Sequence, residues 1–367
     1  MRYVSVFSGI EASSVAWMPI GWEPVALCES AAFPSAVLAH RLPGVLNLGD
    51  VREVAWRELR RAADVVVGGS PCQSFSVAGR REGLGGESGL MWEYVRCVRG
   101  VRPRWLVWEN VPGVLSCARG EDFRRLLSAL AKLGYGLAWR VLDAQYFGVP
   151  QRRRRVYLVG RLGDPESPAK VLLEPSCMQG NPAKGEGVGE ADSRGTGGGP
   201  GDGVEVVAFA ANQRGELRLD GGDGRTVGAI NSQRGGKQAQ GIWYRAGEHR
   251  GAESALDVSP TVLAGHHPLV ALEPPRWLTP VECERLQGLP DDWTRVPWRG
   301  KPAEECPDTH RYRAIGNSMC VNVMRWIGRR MRECEEMAGI EATMLFGTPH
   351  AHSNLLEPAR TDRAIGS

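Results

Sequence analysis

One of the nine cysteines lies where a catalytic nucleophile would be expected. The segment Val-Gly-Gly-Ser-Pro-Cys-Gln follows the apolar run Asp64–Val67, and catalytic groups in α/β proteins sit where strands end. Gly68 and Gly69 let the backbone approach a ligand, and Pro71 stiffens the turn that presents Cys72. The other cysteines have the setting of small buried hydrophobic residues. Cys72 is therefore the candidate nucleophile.

A carboxylate and a run of arginines accompany two further strand-like segments. Glu109 comes directly after a strongly apolar run, so burial should raise the pKa of its carboxyl group and suit it to act as an acid. A structural acid that pairs with one of the many arginines is the alternative. Four consecutive arginines run into a strand, where alternate side chains face opposite sides. Arg153 and Arg155 should therefore share a face with Gln151.

A basic, glycine-rich stretch, Ala78–Gly89, lies just beyond the candidate nucleophile and contains Arg80 and Arg81. Glycine gives such a stretch freedom to move, and arginine attracts negative charge. Its composition predicts a lid that closes over a charged polymer.

A nucleotide-binding pattern occupies the beginning of the chain. Gly9 lies in a turn after the first apolar run and before a helix, where backbone N–H groups can approach a ligand. Glu29 ends the second predicted strand, and an acid at that place typically binds both ribose hydroxyl groups. Asp50 follows Gly49 near the expected end of a third strand and could accept a hydrogen bond from an adenine amino group. A plain strand–helix connection is the alternative interpretation.

The elements that must position these residues form an alternating pattern. Helical periodicity is clearest at Phe123–Leu130, preceded by acidic residues and followed by Gly134. Strands alternating with helices predict an α/β fold with a mostly parallel sheet covered on both faces. The predicted strands are the apolar runs at Tyr3–Phe7, Val25–Cys28, Asp64–Val67, Trp105–Trp108, Trp139–Leu142 and Val156–Val159.

The pattern breaks after residue 160. Residues 176–203 are glycine-rich and predict a linker, and short strand-like pieces at Val204–Phe209, Val227–Ile230 and Val262–Leu263 predict a small, irregular β-rich insert. Regular structure returns with a capping box from Thr279 to Glu282. A last helix is predicted over Met319–Arg332, and residues 336–367 are predicted to be a flexible tail.

Composition narrows the class of protein. The net charge of +3 is only mildly basic, and charge alone does not demand nucleic acid. No close C-x-x-C pair occurs, which argues against a zinc site, and no metal is predicted. The chain lacks a signal-peptide pattern and a run of the roughly 20 apolar residues that a membrane helix needs. Scattered cysteines suit a reducing compartment, so we expect a cytoplasmic protein.

Taken together, the motifs resemble those of DNA (cytosine-5) methyltransferases of the bacterial or phage type. The resemblance covers residues 1–160 and 276–330. The matching runs, in chain order, are Phe-Ser-Gly at 7–9, Gly-Ser-Pro-Cys-Gln at 69–73, Glu-Asn-Val at 109–111, Gln-x-Arg-x-Arg at 151–155, the helix motif at 276–290 and Gly-Asn-Ser at 316–318. Two departures stand in the cofactor loop. The family usually has a second glycine there and often an aspartate before its phenylalanine, whereas this chain has Gly9-Ile10-Glu11-Ala12 and Ser5.

The resemblance implies a Rossmann-like S-adenosylmethionine-dependent methyltransferase fold and a covalent mechanism. Cys72 would add to carbon 6 of a cytosine flipped out of duplex DNA, which activates carbon 5 for methylation. Glu109 would protonate or hydrogen-bond ring nitrogen 3. Arg153 and Arg155 would hold Glu109, the base or the sugar–phosphate.

The same resemblance implies the domain boundaries, the residues of the cofactor pocket and the residues that contact DNA. The catalytic domain comprises residues 1–160 and 276–335, and residues 161–275 form the target-recognition domain. The S-adenosylmethionine pocket is expected to contain Phe7, Ser8, Gly9, Ile10, Glu29, Asp50, Pro71, Asn317 and Ser318. The DNA contacts are expected among Gln73, Arg80, Arg81, Gln151, Arg214, Arg218, Arg225 and Arg234. The expected partners are double-stranded DNA and a cognate restriction endonuclease, with the enzyme itself a monomer.

Two alternatives stay open at this point. A relative acting on RNA would carry most of the same motifs, although the sizeable insert and the Pro-Cys-Gln form of the nucleophile motif favour DNA. A catalytically silent DNA-binding regulator would explain the unusual cofactor loop. The intact set of Cys72, Glu109 and the arginines argues against such a regulator.

Overall fold

The computed structural model describes residues 1–71, 89–173 and 276–346, and the backbone of four strands between residues 204 and 246. Only the backbone is described at 276–277, 339 and 341–346. The central strands, numbered along the chain, are β1 (Arg2–Val6), β2 (Glu23–Cys28), β3 (Val65–Gly68), β4 (Trp105–Asn110), β5 (Tyr135–Asp143) and β7 (Arg154–Leu162). All six predicted strands are present, with ends that differ by up to four residues.

These six strands form one sheet in the order β2-β1-β3-β4-β7-β5. The first four are parallel to their neighbours, as predicted, but β7 runs antiparallel to both β4 and β5. The sheet is therefore mixed. The direction of β7 reverses because residues 144–153 join it to β5 without the crossover helix that a parallel neighbour requires.

Helices follow the strands. The predicted helix at Phe123–Leu130 is confirmed within α4, and the predicted capping box is confirmed at the start of α6, where Thr279 and Glu282 each bond the other's backbone N–H. The last helix continues to Phe346, well beyond the predicted end at Arg332. No helix within these described ranges is long and apolar enough to span a membrane. The bounds are α1 (Ala12–Trp17), α2 (Ala32–Arg41), α3 (Leu90–Val101), α4 (Glu121–Lys132), α5 (Ser167–Leu172), α6 (Pro280–Leu286), α7 (Asp308–Asn317) and α8 (Val321–Phe346).

The sheet is buried on both faces, which explains why its strands are almost continuously apolar. Alternate side chains of each strand enter two separate cores. Val66 and Leu106 pack towards α3 and α4, whereas Val67 and Val107 pack towards α1 and α8. The indole Nε1 of Trp17 donates to the carbonyl oxygen of Met324 at 2.7 Å, which fixes α1 against α8.

A second, antiparallel sheet lies in the insert. Its order is β12-β11-β8-β9, made of β8 (Val204–Ala211), β9 (Leu217–Leu219), β11 (Ala239–Ala246) and β12 (Arg276–Trp277). β11 was not predicted, and the predicted strand at Val262–Leu263 lies outside the described residues, as does the predicted linker at 176–203. A short strand β10 (Val227–Gly228) pairs in parallel with β6 (Gln151–Arg152) in a separate two-stranded sheet, which joins the insert to the segment just before β7.

The chain order of the strands creates a switch point. From β1 the chain moves to β2 on one side of it and later returns to β3 on the other side. The loops after β1 and β3 therefore leave the carboxyl edge in opposite directions, and a crevice opens between them. Ligands of open α/β sheets bind in such a crevice. The candidate residues of both loops therefore meet at one edge of the sheet.

Candidate active site

The turn after β1 has an unusual backbone. Phe7, Gly9 and Glu11 adopt left-handed conformations with φ values of 54°, 56° and 61°. Nothing lies within 4 Å of the place where a Cβ atom on Gly9 would be, so the turn borders open space. Ser8 is fixed from below, because its hydroxyl group accepts a hydrogen bond from the backbone N–H of Cys28 at 3.0 Å. The turn thus has the shape of a cradle for a ligand.

Glu29 holds this cradle in place. Its Oε2 accepts a hydrogen bond from the backbone N–H of Gly9 at 2.8 Å, and its Oε1 accepts one from the N–H of Ala31 at 2.7 Å. Asn47 in turn accepts from the backbone N–H of Glu29 at 3.0 Å. The carboxylate is therefore oriented beside the glycine turn, where it keeps further lone pairs for a ligand.

Two other residues predicted for the cofactor pocket are engaged elsewhere. Asp50 forms a two-point ion pair with exposed Arg52, whose Nη2 lies 2.5 Å from Oδ2. The bonds from Arg52 lower the pKa of Asp50 to about 2. The Ile10 side chain is buried in the core, and its carbonyl oxygen accepts from the indole of Trp293 at 2.8 Å. A ligand could meet only the backbone of Ile10.

Glu11 has an environment that the sequence did not reveal. Its side chain is buried and caps α1 through the backbone N–H and the hydroxyl group of Ser14, at 3.1 and 3.2 Å. Its Oε2 has no hydrogen-bond partner. Burial raises the pKa of Glu11 to about 7, an effect that the bonds from serine side chains only partly offset. The buried carboxyl group of Glu11 thus stabilises the end of this turn, which lacks the second glycine that is usual in the family.

The loop after β3 approaches β4 closely. A Cβ atom on Gly69 would lie 3.1 Å from the carbonyl oxygen and 3.2 Å from Oε2 of Glu109. Asn110 donates from Nδ2 to the carbonyl oxygen of Ser70 at 3.1 Å, which anchors the backbone just before Pro71. Pro71 is the last described residue of this loop. Cys72 follows it directly in the chain but lies outside the described residues, together with Gln73, Arg80, Arg81 and most of the predicted lid.

Glu109 is buried at the carboxyl edge of the sheet, as the last residue but one of β4. Burial raises the pKa of its carboxyl group, while the charges of Arg155 and Arg153 act in the opposite direction. Oε1 of Glu109 lies 3.3 Å from Nε of Arg155, close enough for an ion pair but without the orientation of a hydrogen bond. The carboxyl group is therefore held in place while it keeps capacity to bond a further partner.

The predicted alternation of the arginine run is observed. Gln151 and Arg153 are buried, Arg155 is half-buried, and Arg152 and Arg154 are exposed. Gln151, a predicted DNA contact, has a side chain that is 0 % exposed, and both of its amide atoms lack partners.

Arg153 reaches a distant part of the chain. Its Nη1 and Nη2 donate to the carbonyl oxygens of Gly316 and Ser318 at 3.2 and 2.7 Å, rather than to Glu109. Burial lowers the pKa of Arg153 to about 10, which still leaves it charged at neutral pH. Nε of Arg153 has no partner. Arg153 therefore joins the arginine run to the segment at 316–318.

That segment lies beside the loop after β3. Asn317 is exposed at the end of α7, and Ser318 is buried. Met319 Cε would be 3.2 Å from a Cβ atom on Gly69. Sequence reasoning missed both Met319 and the anchoring role of Asn110, although their positions next to Ser318 and Glu109 were an available signal.

The predicted DNA contacts in the insert cannot be placed from their side chains. Arg218 lies in β9, of which only the backbone is described. Arg214, Arg225 and Arg234 lie outside the described residues. Across the described ranges, no group of three or more histidine, cysteine or acidic side chains is arranged to hold a metal ion.

Comparisons with known proteins agree with this fold. Schizosaccharomyces pombe Dnmt2 methyltransferase superimposes with a TM-score of 0.57 at 15% identity, covering 91% of this chain and 99% of that structure. The fold is thus the Rossmann-like one of S-adenosylmethionine-dependent methyltransferases. The model of the family described as C-5 cytosine-specific DNA methylase matches residues 1–333. The chain belongs to this family.

Two curated relatives are similar along most of the chain. One, from Escherichia phage P1, is named DNA N-6-adenine-methyltransferase and is 34% identical over 471 residues, with 92% of this chain and 62% of the relative covered. The other, the type II methyltransferase M2.BsuMI of Bacillus subtilis (strain 168), is 30% identical over 348 residues, with coverages of 91% and 76%. The chain thus spans less than two thirds of the phage relative.

Proposed function

We propose that this protein transfers a methyl group from S-adenosylmethionine to carbon 5 of cytosine in a specific duplex DNA sequence. The observation that carries the proposal is the close approach of Gly69 to Glu109, at 3.1 and 3.2 Å from a Cβ position to the carbonyl oxygen and Oε2. This contact sets the start of the Gly-Ser-Pro-Cys loop beside a buried carboxyl group. A nucleophile and an acid at one site are what cytosine C5 chemistry needs.

In the proposed reaction, the thiolate of Cys72 adds to carbon 6 of a flipped-out cytosine. Glu109 donates a proton or a hydrogen bond to ring nitrogen 3, which takes up the charge that the addition creates. Burial keeps the pKa of Glu109 raised, so the carboxyl group holds its proton to a higher pH than an exposed glutamate. Once carbon 5 carries the methyl group and loses its proton, Cys72 leaves with the electron pair of the carbon–sulfur bond.

Arg155 and Arg153 position the acid. Arg155 lies 3.3 Å from Glu109 and keeps its carboxyl group from rotating away from Gly69. Arg153 fixes the strand on which Arg155 lies, through its bonds to Gly316 and Ser318. Such fixed charges need no reorganisation during the reaction.

The residues at the switch point fit the proposed cofactor. S-adenosylmethionine supplies the methyl group, as an electrophile on a sulfonium sulfur, when it is bound. Gly9 borders open space, and a side chain at position 9 would project into that space. Glu29 would accept from ribose hydroxyl groups. Asn317 and Ser318 would face the cofactor from the segment that lies beside the loop after β3. Phe7 would pack on the adenine ring, and Asp50 would bond its amino group once Arg52 is displaced.

The name of the phage relative raises a second candidate, methylation of the adenine amino group. An exocyclic amino group is itself a nucleophile and needs no covalent activation of the ring. The Cys72, Glu109 and Gln-x-Arg-x-Arg set supports cytosine instead. RNA as the substrate and a catalytically silent regulator are the further rivals.

One experiment separates these candidates. Duplex DNA and total RNA are incubated with the protein and isotope-labelled S-adenosylmethionine, and the nucleosides are then identified by mass spectrometry. Labelled 5-methylcytosine in DNA is the expected product. Label in N6-methyladenine or only in RNA would replace the proposal with the corresponding rival. No label, with cofactor binding also absent by calorimetry, would favour the regulator.

The expectations about partners and assembly belong to the same proposal. A monomer suits an enzyme that flips one base at a time, and sedimentation of the full chain with and without DNA would test it. The naming of a relative as a type II methyltransferase makes a restriction endonuclease of the same specificity the expected companion. Methylated plasmid that resists such an endonuclease would support this pairing.

A further inference from the structure

The two arginines of the run that point away from the acid have no assigned role. Gln151 and Arg153 are buried, whereas Arg152 and Arg154 are exposed on the opposite side of the strand. Neither of the exposed pair stacks on a described aromatic ring. The exposed pair, here called the outer arginines, is therefore not part of the machinery that holds Glu109.

The position of the outer arginines follows from strand register. On the antiparallel strands β4 and β7, Asn110 pairs with Val156, so Arg154 continues two residues past the end of β4. Arg152 pairs through its backbone with Gly228 of the insert. The outer arginines therefore lie near the carboxyl edge of β4, next to the point where the insert pairs with the chain.

The outer arginines also lack the acidic partners that some other exposed arginines have. Arg52, Arg124 and Arg125 are each paired with a carboxylate within 3.0 Å. No described residue forms an ion pair with Arg152 or Arg154.

Asp143 is the nearest acid by register, since it pairs with Arg154 across the sheet. Its carboxylate oxygens instead accept from the backbone N–H of Arg153 at 3.0 Å and from the side chain of Gln145 at 3.0 Å. Among the described residues, the two arginine charges thus have no counterion at the edge of the site. Such charges favour an anionic ligand.

We propose that Arg152 and Arg154 bind two phosphates on one strand of the duplex DNA substrate. This inference rests on the proposed function and adds the residues that position the backbone. Side chains two residues apart on a strand are separated by about 6.8 Å, which corresponds to about two phosphate steps of ~3.4 Å along the axis of a DNA strand. Arginine also matches phosphate geometry with two parallel hydrogen bonds. The contact carries no sequence information and sets the register of the DNA.

The test is the salt dependence of DNA binding by the full chain. Dissociation constants for a duplex are measured from about 50 to 200 mM KCl for the wild type and for the double variant Arg152→Ala/Arg154→Ala. Each lost phosphate contact lowers the slope of log Kd against log salt by ~0.9, so a decrease of about 1.8 is expected. The variant Arg152→Lys/Arg154→Lys keeps both charges and should keep the slope.

A matched control removes the same charge elsewhere. The variant Arg124→Ala/Arg125→Ala alters two exposed arginines that already pair with Glu121, so its slope should equal that of the wild type. An unchanged slope in the Arg152/Arg154 double variant, with wild-type binding salt-dependent, would overturn the inference alone. Absence of wild-type duplex binding would overturn the proposed function as well. A decrease confined to an RNA probe would contradict the assignment to DNA.

Discussion

Arg153 and Ser318 are 165 residues apart in the chain, yet Nη2 of the arginine donates to the serine carbonyl oxygen at 2.7 Å. A second bond reaches Gly316 from the same guanidinium group. These two bonds close the segment after α7 onto the arginine run, and Met319 then lies against Gly69. The acid, the nucleophile loop and the predicted cofactor residues Asn317 and Ser318 are thereby held as one unit.

Replacing Arg153 with alanine should destabilise the fold as well as the site. Two buried carbonyl oxygens would lose their donors, and the loss of such buried partners costs about 2–4 kcal/mol. Chemical denaturation should report this decrease in the free energy of unfolding. Arg124→Ala, which removes an exposed arginine from α4, serves as the control and should change stability by less than about 0.5 kcal/mol. Equal stability of the two variants would contradict a joining role for Arg153.

Replacing Glu109 with glutamine should slow methyl transfer by about 10²–10⁴-fold while the protein stays folded. Glutamine has the same shape and can remain beside Arg155, but it cannot give up a proton to ring nitrogen 3. Single-turnover rates on duplex DNA and thermal unfolding measure the two effects separately. A variant that lost stability and kept its rate would show that Glu109 is a structural acid.

The pH profile gives a second test of Glu109. The proposed active form is protonated, and burial raises the pKa of this group, so the rate should fall as pH rises through that raised pKa. In the Glu109→Gln variant this decrease should disappear, because glutamine does not titrate. A decrease that persists unchanged in the variant would have to come from another group.

Glu11 should make the protein less stable as the pH rises. Its pKa is about 7 in the folded protein, against 4.5 for an ordinary glutamate. A raised pKa gives stability that is fully present below pH 4.5 and is lost as the pH rises through about 7. The shift corresponds to about 3 kcal/mol. Unfolding free energies between pH 4.5 and 8 should therefore fall more steeply for the wild type than for Glu11→Gln, and parallel curves would refute this prediction.

Glu29 should matter for the cofactor more than for the fold. Its carboxylate fixes the N–H of Gly9 and is the proposed acceptor for ribose hydroxyl groups. Glu29→Ala should raise the Kd for S-adenosylmethionine by at least about tenfold, equal to 1.4 kcal/mol. Titration calorimetry measures this change. Glu23→Ala, at the exposed start of the same strand β2, removes the same charge and should leave the Kd unchanged; a similar Kd for both variants would exclude a ribose contact.

Much of the fold was predictable because the signals are local. A strand buried on both faces is a short apolar run, and all six such runs became strands of the main sheet. The direction of β7 was not predictable from its own residues, because it depends on the connection from β5. β11 was missed because Gln240, Gly241 and Arg245 interrupt its apolar pattern.

The candidate site was predictable in its residue types but not in its contacts. The alternation of residues 151–155 follows from strand geometry, so the inward direction of Arg153 could be foreseen. Its partners at 316 and 318 depend on tertiary packing and have no local signal. The burial of Glu11 is also a tertiary effect, since the sequence showed only a missing glycine.

Bisulfite sequencing of plasmid DNA tests the central claim most directly, with one plasmid from cells that express the wild type and one from cells that express Cys72→Ser. We expect protected cytosines in one short recurring context in the first plasmid and none in the second. The same experiment therefore gives the target sequence. Soluble wild-type protein without protected cytosines, or the same protection with Cys72→Ser, would contradict cytosine C5 methylation through Cys72.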